Sequence, residues 1–426
     1  MKVSNYTTEI QIDDGKSMLY NTLSRKYYVY NVEDKEEIWS LLRNLNCGSY
    51  TFQEIEWLKI WLEKKIVLQD AIDELSELKV LENTAKYQDS TYNILIYATN
   101  ACNFRCTYCE QKHVTRVLDE KIMEQILKLV KNAAKKSKKV KIDWFGGEPV
   151  IEYKKMFYIL EKVNEICSAE GTSVYSTITT NGYLLTDAML EQMQKLNIKS
   201  MQITIDGNRT SHDARRVLAN GKGTFVKVME NVNKVLQHNI KVTLRINVDA
   251  ENIEDISEVL NGIDKKCRSQ VFVSISNIFQ NKEMLSTYSL LRQAIDMGYK
   301  IIGRENSYIH CHACQKNAIV IDTDGSVLLC SNTDSDEKRM GYLDIDGNVR
   351  IERLSDYYKL KSISALDNPQ CRDCIELPYC IGSCKYSRMK NNQKCLEKRA
   401  DGLTLKERAL LDYYYDLHNI TQNKVC

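Results

Sequence analysis

The sequence predicts an α/β fold: a partial (β/α)6 barrel, TIM-like in plan, preceded by an α+β module of winged-helix-like order and followed by a cysteine-rich domain. Three observations predict it. Between Tyr92 and Ile278, six apolar or β-branched runs alternate with amphipathic stretches. The first 90 or so residues carry short β-prone runs and then helical stripes. Beyond residue 280 lie nine of the 15 cysteines, eight of them between Cys311 and Cys395. A chain of 426 residues has room for two to four domains at roughly 100 to 200 residues each.

The N-terminal module spans residues 1–90. Residues 6–12 and 17–20 alternate in polarity and are split by Asp14-Gly15, and Tyr27 to Tyr30 forms a third β-prone run. Ile38, Leu41, Leu42 and Leu45 then make one helical stripe, and Phe52, Ile55, Leu58 and Leu62 a second. Ile66-Val67-Leu68 reads as a short strand before a helix carrying Ile72, Leu75 and Leu78. A small sheet with two or three helices suits a winged-helix-like module. It equally suits an extension that only covers the next domain.

In the barrel region, residues 91–283, strands are expected at 92–99, 140–145, 173–180, 200–206, 241–248 and 271–278. Helices are expected at about 119–136, 153–168, 186–196, 224–238 and 252–263. Strict alternation implies right-handed crossovers and a parallel sheet. A closed eight-stranded barrel is two units short, so a partial barrel fits better, with chemistry at the C-terminal ends of the strands. A helix at 284–298 opens a bridging region, 284–304, the cysteine-rich domain spans 305–400, and a helix fills 401–426. In that last helix Tyr413 to Tyr415 reads as packing surface.

Charge is balanced, with 59 Lys plus Arg against 57 Asp plus Glu, so no polyanion or nucleic-acid partner is expected. The six lysines from Lys131 to Lys141 read as a solvated helix end. No run of eighteen apolar residues and no signal-peptide order at Met1 to Glu9 is present, so a cytoplasmic protein without a membrane partner is expected. In that compartment cysteines stay as thiols or bind metal.

Cys102, Cys106 and Cys109 stand in C-x3-C-x2-C spacing directly after the first strand. Three thiolates can hold three irons of a cubane cluster and leave the fourth iron without a protein ligand. An open metal position of this kind binds substrate. A zinc site that borrows a fourth ligand such as His113, or three unrelated thiols, stays open on spacing alone. At the end of the second strand comes Trp144-Phe145-Gly146-Gly147-Glu148-Pro149. Its glycines permit close backbone approach to a ligand, and Glu148 offers a carboxylate to an ammonium group.

These two motifs, in this order, resemble the radical S-adenosylmethionine (SAM) enzymes, and the resemblance covers residues 92 to 278. It implies Cys102, Cys106 and Cys109 as ligands of the radical-generating cluster, and Gly146, Gly147 and Glu148 as contacts to the methionine amino group of SAM. Tyr108 matches the aromatic position near the adenine. Further strand ends are polar: Thr180-Asn181-Gly182, Asp206-Gly207 with His212-Asp213 and Arg216 following, and Arg245 with Asn247. Buried polar side chains need partners; Asn181 and Arg245 are expected to contact SAM, and His212 and Asp213 to form a turn and helix cap.

The later cysteines are Cys311, Cys314, Cys330, Cys371, Cys374, Cys380, Cys384 and Cys395. Four thiolates complete a cubane cluster, so eight make two, although C-x2-C pairs also build zinc ribbons. The order C, G-x4-C, gap, C-x2-C-x5-C-x3-C, gap, C is similar to the iron-sulfur SPASM extension of peptide- and protein-modifying radical SAM enzymes. That likeness assigns Cys311, Cys314, Cys330 and Cys384 to one auxiliary cluster and Cys371, Cys374, Cys380 and Cys395 to the other, giving three [4Fe-4S] clusters with SAM. Cys47, Cys167, Cys267 and Cys426 are left as small hydrophobes or free thiols. His310 and His312 flank the first ligand, where they either tune it or are loop polarity.

The resemblance implies reductive cleavage of SAM to a 5′-deoxyadenosyl radical, hydrogen abstraction from substrate, and a one-electron donor such as flavodoxin or ferredoxin. The leading expectation is a maturase of ribosomally made peptides that installs a thioether or carbon-carbon crosslink in a leader-bearing precursor, with residues 1–90 as a leader-recognition element working by strand addition. An anaerobic sulfatase-maturating type is the alternative. That type carries an acid after the cysteine matching Cys330 and a Gln-aromatic pair after the sixth strand, whereas this chain has Ser331 and Ser276-Asn277-Ile278-Phe279. A reading of another class is a non-catalytic zinc- or cluster-binding interaction protein. The general base is not legible.

Overall fold

The computed structural model describes all residues except 112, 279, 281–282, 304–310, 332–338, 392–394, 396–399 and 424–426. Phe279, His310 and Cys426 therefore lie outside the described residues. Six strands form the parallel centre: β1 (Thr91–Thr99), β2 (Lys139–Gly146), β3 (Ser173–Thr180), β4 (Ile198–Thr204), β5 (Lys241–Val248) and β6 (Val271–Asn277). They lie in chain order within one 11-stranded sheet. Every neighbouring pair among them is parallel.

Helices Glu120–Ala134, Tyr153–Ala169, Asp187–Lys195, Phe225–Gln237 and Ile256–Asn261 return the chain between strands. The first of these starts where the Asp119 carboxylate accepts from Ile122 N at 2.8 Å, satisfying an orphan donor of the first turn. Its Ile122, Ile126, Leu129, Val130 and Ala133 then fall on one face by three- and four-residue spacing and pack on the sheet. The strands answer with Val140, Ile142 and Trp144 of β2, Met201 and Ile203 of β4, and Val242, Leu244 and Ile246 of β5 in the same core. Each such buried aliphatic side chain contributes about 1.5–3 kcal/mol.

The alternate residues face inward and differ in kind. They are half-buried and mostly polar: Lys141 and Asp143 on β2, Thr177 and Thr179 on β3, Ser200, Gln202 and Thr204 on β4, Thr243, Arg245 and Asn247 on β5. A closed eight-stranded barrel fills this space with branched apolar layers. Here the inner face is polar over β3 to β5, while Leu95 and Tyr97 of β1 pack with Phe145 of β2 into an apolar cluster on the same face.

Residues 284–304, expected as a bridge, continue the sheet instead: helix Tyr288–Asp296 leads to Lys300–Ile301, which pairs parallel with β6. At the other edge Ala318–Ile321 pairs parallel with β1, and Ser326–Leu328, Arg339–Leu343 and Val349–Ile351 follow antiparallel. The cysteine-rich region is thus hydrogen-bonded into the barrel sheet.

The N-terminal module is a three-stranded antiparallel sheet, Thr7–Gln11, Lys16–Asn21 and Lys26–Asn31, with helices Lys35–Arg43, Phe52–Glu63 and Glu74–Tyr87. Val67–Leu68 pairs with Lys2–Val3, which closes the module on itself. One face of the sheet packs on Ile38, Leu41, Leu42, Trp57, Leu58 and Trp61. The other face packs Ile10, Met18 and Tyr20 against Ala409 and Leu410 of the last helix, Leu405–Asn423. Tyr413 is packing surface as expected, meeting Tyr27 edge to face at 5.6 Å.

Two expected stripes are corrected. Helix Phe52–Glu63 buries Trp57, Leu58 and Trp61 and leaves Phe52, Ile55 and Leu62 on the exposed side. Its sequence is apolar on two faces, and the bulkier tryptophan face takes the core. Ile72 precedes the next helix and is exposed; that helix buries Leu78 together with Glu74, Glu82 and Lys86.

Candidate active site

The loop carrying Cys102, Cys106 and Cys109 follows β1 and is held by backbone pairing from far along the chain. Phe104–Cys106 pairs antiparallel with Arg216–Leu218, the short strand after helix Arg209–Arg215, so that Cys106 stands opposite Arg216. Thr107 N donates to Arg215 O at 3.0 Å, and Ala219 N to Asn103 O at 2.9 Å. Phe104 N reaches the Cys102 sulfur at 3.4 Å. Burial, and then the neighbouring Glu148 and the other two thiols, push the Cys102 thiol up to about 12. Burial also raises Cys106. Thiols held in this way need a nearby cation to become ligands, which a bound metal would supply.

The Gly-Gly turn ending β2 lies on the backbone that enters this loop. Gly147 N donates to Thr99 O at 2.9 Å, and Glu148 N to Ala101 O at 2.8 Å. A Cβ on Gly146 would stand 2.1 Å from Thr99 O, and one on Gly147 would stand 2.3 Å from Ala101 O. Gly146 also has φ +127, open in practice only to glycine. Both glycines are therefore fixed by contact with the cysteine loop.

Glu148 is buried, and its carboxylate already serves the protein: it accepts from Thr180 Oγ1 at 2.7 Å, Asn181 N at 2.6 Å and Val150 N at 3.1 Å. Burial raises its pKa while these bonds oppose the rise. It joins the ends of β2 and β3. An ionised carboxylate has about four acceptor sites, and these bonds take three of them. Asn181 donates through Nδ2 to Asn103 Oδ1 at 2.8 Å. The Nδ2 of Asn103, next to Cys102, is buried with no partner.

Tyr108, expected near an adenine, turns its hydroxyl into a polar knot. It donates to Asp206, and accepts from Arg216 Nη1 at 2.6 Å and Asn247 Nδ2 at 3.2 Å. Burial is the main reason its pKa rises. Arg245 donates from Nε to Asn247 Oδ1 at 3.0 Å, which brings it to the edge of this group. His212 is fully buried between Asp206 N and Thr224 Oγ1, and Asp213 caps helix Phe225–Gln237 from a distance by accepting from Thr224 N and Phe225 N. The expectation of a turn and cap is corrected for His212, which lies within helix Arg209–Arg215 and bridges two segments, and holds for Asp213 only as a cap on the following helix. Asp206 and Arg216, noted in the sequence as polar residues at a strand end and given no role there, prove central to this knot; Asn103 carries no sequence signal beyond its place beside Cys102.

Beside Cys109 opens a cavity of about 340 Å³ lined by Thr107, Tyr108, Arg215, Asp249, Ile278 and Gln280 among others. Deeper on the inner face, Asp143 pairs with Lys141 at 2.9 Å and accepts from Thr177.

Of the later cysteines, seven fall into two groups of neighbours. Cys395 lies within electrostatic reach of Cys380, Cys371 and Cys374. Cys314 donates to Cys311, and this, with the Ala313 backbone N–H and then Lys361 and Lys385 nearby, favours the Cys311 thiolate. Cys330 joins Cys311 around Leu329, Met340 and Leu360. Cys384 caps helix Lys385–Lys390 through Ser387 N at 3.5 Å. Among the described residues no three His, Cys, Asp or Glu side chains converge on a single point, as a lone ion would ask.

The parallel sheet carries three thiols at the end of β1 and a glycine turn at the end of β2. Residues 96–263 match the Radical SAM superfamily, and the chain carries that domain. It is 22% identical over 334 residues to a cysteine-type anaerobic sulfatase-maturating enzyme of Clostridium novyi, covering 69% of this chain and 87% of that protein. It is 29% identical over 207 residues to a GTP 3′,8-cyclase of Clostridium perfringens, covering 46% of this chain and 59% of that protein. The solved structure of native anSMEcpe with bound AdoMet and Cp18Cys peptide superposes with a TM-score of 0.59 at 18% identity, covering 79% of this chain and all of that one.

Proposed function

We propose that this radical SAM enzyme is a maturase that oxidatively modifies a ribosomally made precursor peptide, with a thioether or carbon-carbon crosslink as the product. The observation that carries the substrate class is the inner face of the sheet. Its hydroxyl and amide side chains suit a polar peptide segment. A nucleoside triphosphate asks for several free cations, and this face offers Arg245 and a Lys141 already paired with Asp143.

Cys102, Cys106 and Cys109 would hold the radical-generating cluster. The unpartnered Asn103 amide and the Gly146-Gly147 turn fit the polar end of SAM, and the cavity beside Tyr108 and Ile278 fits its adenine. When bound to the reduced cluster, SAM supplies a 5′-deoxyadenosyl radical that takes hydrogen from an unactivated carbon. The chain's own part is to hold substrate over that point and keep water away. Cys311, Cys314, Cys330 and Cys384, and Cys371, Cys374, Cys380 and Cys395, would hold two auxiliary clusters of a SPASM-type domain. Zinc at the later cysteines is the competing outcome.

The N-terminal module would capture a leader by strand addition. Its sheet has Thr7–Gln11 and Lys26–Asn31 as outer strands, and Phe52, Ile55 and Leu62 stand exposed on its helix. Among the described residues no helix is long and apolar enough to cross a membrane; a cytoplasmic enzyme drawing electrons from a flavodoxin or ferredoxin completes the reading.

The test is co-expression, without oxygen, with a small peptide encoded beside the gene, followed by intact mass. Loss of one or more pairs of hydrogens with wild type and not with Cys106→Ala is expected. The similarity to sulfatase-maturating enzymes favours a second reading, a protein target. An unchanged peptide with 5′-deoxyadenosine still formed would move the substrate there. Retained SAM cleavage by Cys106→Ala would overturn the assignment of the first cluster.

A further inference from the structure

Around Cys311 and Cys314 the fold buries more positive charge than it neutralises. Lys86, Lys361 and Lys385 are 2%, 9% and 6% exposed. Lys86 comes from helix Glu74–Tyr87 of the N-terminal module, and the other two from the cysteine-rich region. Lys361 donates to Gln315 O, directly after Cys314, and lies 3.4 Å from Ala318 O. Lys86 donates to Ile363 O at 2.9 Å, and its own carbonyl accepts from Lys316 N at 2.7 Å. Lys385 and Lys86 both act electrostatically on Cys314, and Lys361 and Lys385 on Cys311.

Among the described residues, one carboxylate is bonded to this group. Glu82, 2% exposed, pairs with Lys86 at 2.9 Å and Lys385 at 3.3 Å and accepts from Ser364. Three buried cations against one anion leave an excess that costs several kcal/mol per uncompensated charge unless another anion stands close. Cys311 and Cys314 offer the nearby sulfurs, and a cluster bound by thiolates is such an anion. The potential of an iron-sulfur cluster rises when its surroundings become more positive, because the reduced form carries the larger negative charge.

We propose that Lys86, Lys361 and Lys385 form a buried cationic collar that raises the reduction potential of a cluster held by Cys311 and Cys314, and that the N-terminal module contributes to this potential through Lys86 and Glu82. The proposal rests on the reading that these cysteines hold a cluster. The three lysines are positioning residues, acting through the cluster and never touching substrate.

The experiment is a redox titration followed by electron paramagnetic resonance. It uses full-length protein reconstituted with iron and sulfide, with Cys102, Cys106 and Cys109 replaced by Ala so that only the later sites contribute. Lys86→Met, Lys361→Met and Lys385→Met are each expected to lower the reduced-to-oxidised ratio of one cluster about tenfold at fixed potential, a shift of about 59 mV downward for a one-electron couple. Glu82→Gln is expected to shift the same cluster upward. The Glu82→Gln/Lys86→Met double variant, which leaves the net charge unchanged, is expected to return near the parent, as is Lys86→Arg. A structural role alone does not produce opposite signs from the two partners of one ion pair. Full iron content with unmoved potentials in all Lys→Met variants overturns the collar. Iron content that does not fall in Cys311→Ala/Cys314→Ala overturns instead the reading that a cluster sits there.

Discussion

Arg216 Nη1 donates to the Tyr108 hydroxyl at 2.6 Å, joining the cysteine loop after β1 to the segment after β4. The same arginine stands opposite Cys106 in the backbone ladder and 3.7 Å from the buried Asp206 carboxylate. Arg216→Met leaves Asp206 without its cation, and unpaired buried charges of this kind cost about 3–5 kcal/mol. We expect loss of iron from the first site and at least a tenfold fall in SAM cleavage, measured as 5′-deoxyadenosine formed with dithionite. Tyr108→Phe leaves Arg216 and Asp206 free to pair and is expected to be milder.

Gly147→Ala tests the contact between the two motifs. Its new Cβ would stand 2.3 Å from Ala101 O, a backbone atom that moves only with the cysteine loop. Overpacking here is expected to cost about 3 kcal/mol or more and to lower iron retention. Gly15→Ala is the control: like Gly147 it has no positive φ, and its new Cβ would meet only Asp13 Oδ1 at 3.7 Å. A thermal melt that falls equally for both variants would show that the loss at Gly147 does not come from the approach to Ala101 O and would remove the contact argument.

Much of this site was legible because its chemistry is local in sequence: C-x3-C-x2-C and Gly-Gly-Glu-Pro each occupy a single strand end, and βα alternation places those ends together. Arg216 and Asp206 were harder to assign, because their meaning depends on a pairing between residues 104–106 and 216–218. The misplaced stripe at Phe52, Ile55 and Leu62 failed for a different reason. Helix Phe52–Glu63 offers two apolar faces, and only the sheet beneath, with Tyr28 edge-on to Trp61 at 5.9 Å, selects one. The joining of Ala318–Ile321 to β1 across more than two hundred residues leaves no local signal at all.

Docking of the N-terminal module depends on a buried fork. Arg25 donates to Asp412 through Nε at 3.0 Å and Nη2 at 2.7 Å, and Tyr20 donates to the same carboxylate at 2.6 Å. Asp412→Ala leaves the guanidinium buried and unpaired, with an expected loss of about 3–5 kcal/mol in a denaturant melt. Replacing both partners by Arg25→Met/Asp412→Leu is expected to recover much of it. If the double variant is as unstable as Asp412→Ala, the pairing is not what holds the module.

His212 gives the barrel a dependence on acid. Buried between Asp206 N and Thr224 Oγ1, with the Arg216 cation adding to the effect of burial, it is lowered from 6.5 to about 3. In the unfolded chain the imidazole takes a proton near pH 6.5, while in the folded protein it stays neutral to about 3. The unfolded state therefore binds more protons between these values, and stability present above pH 6.5 is lost as pH falls toward 3. A shift of this size is worth a few kcal/mol at about 1.4 kcal/mol per unit. His212→Gln keeps groups able to bond both neighbours and cannot take the proton. Its melting temperature is expected to lie below wild type at pH 7.5 and to close the gap by pH 4.5. Parallel curves for the two proteins from pH 7.5 to 4.5 would show that the imidazole titrates alike in the folded and unfolded states.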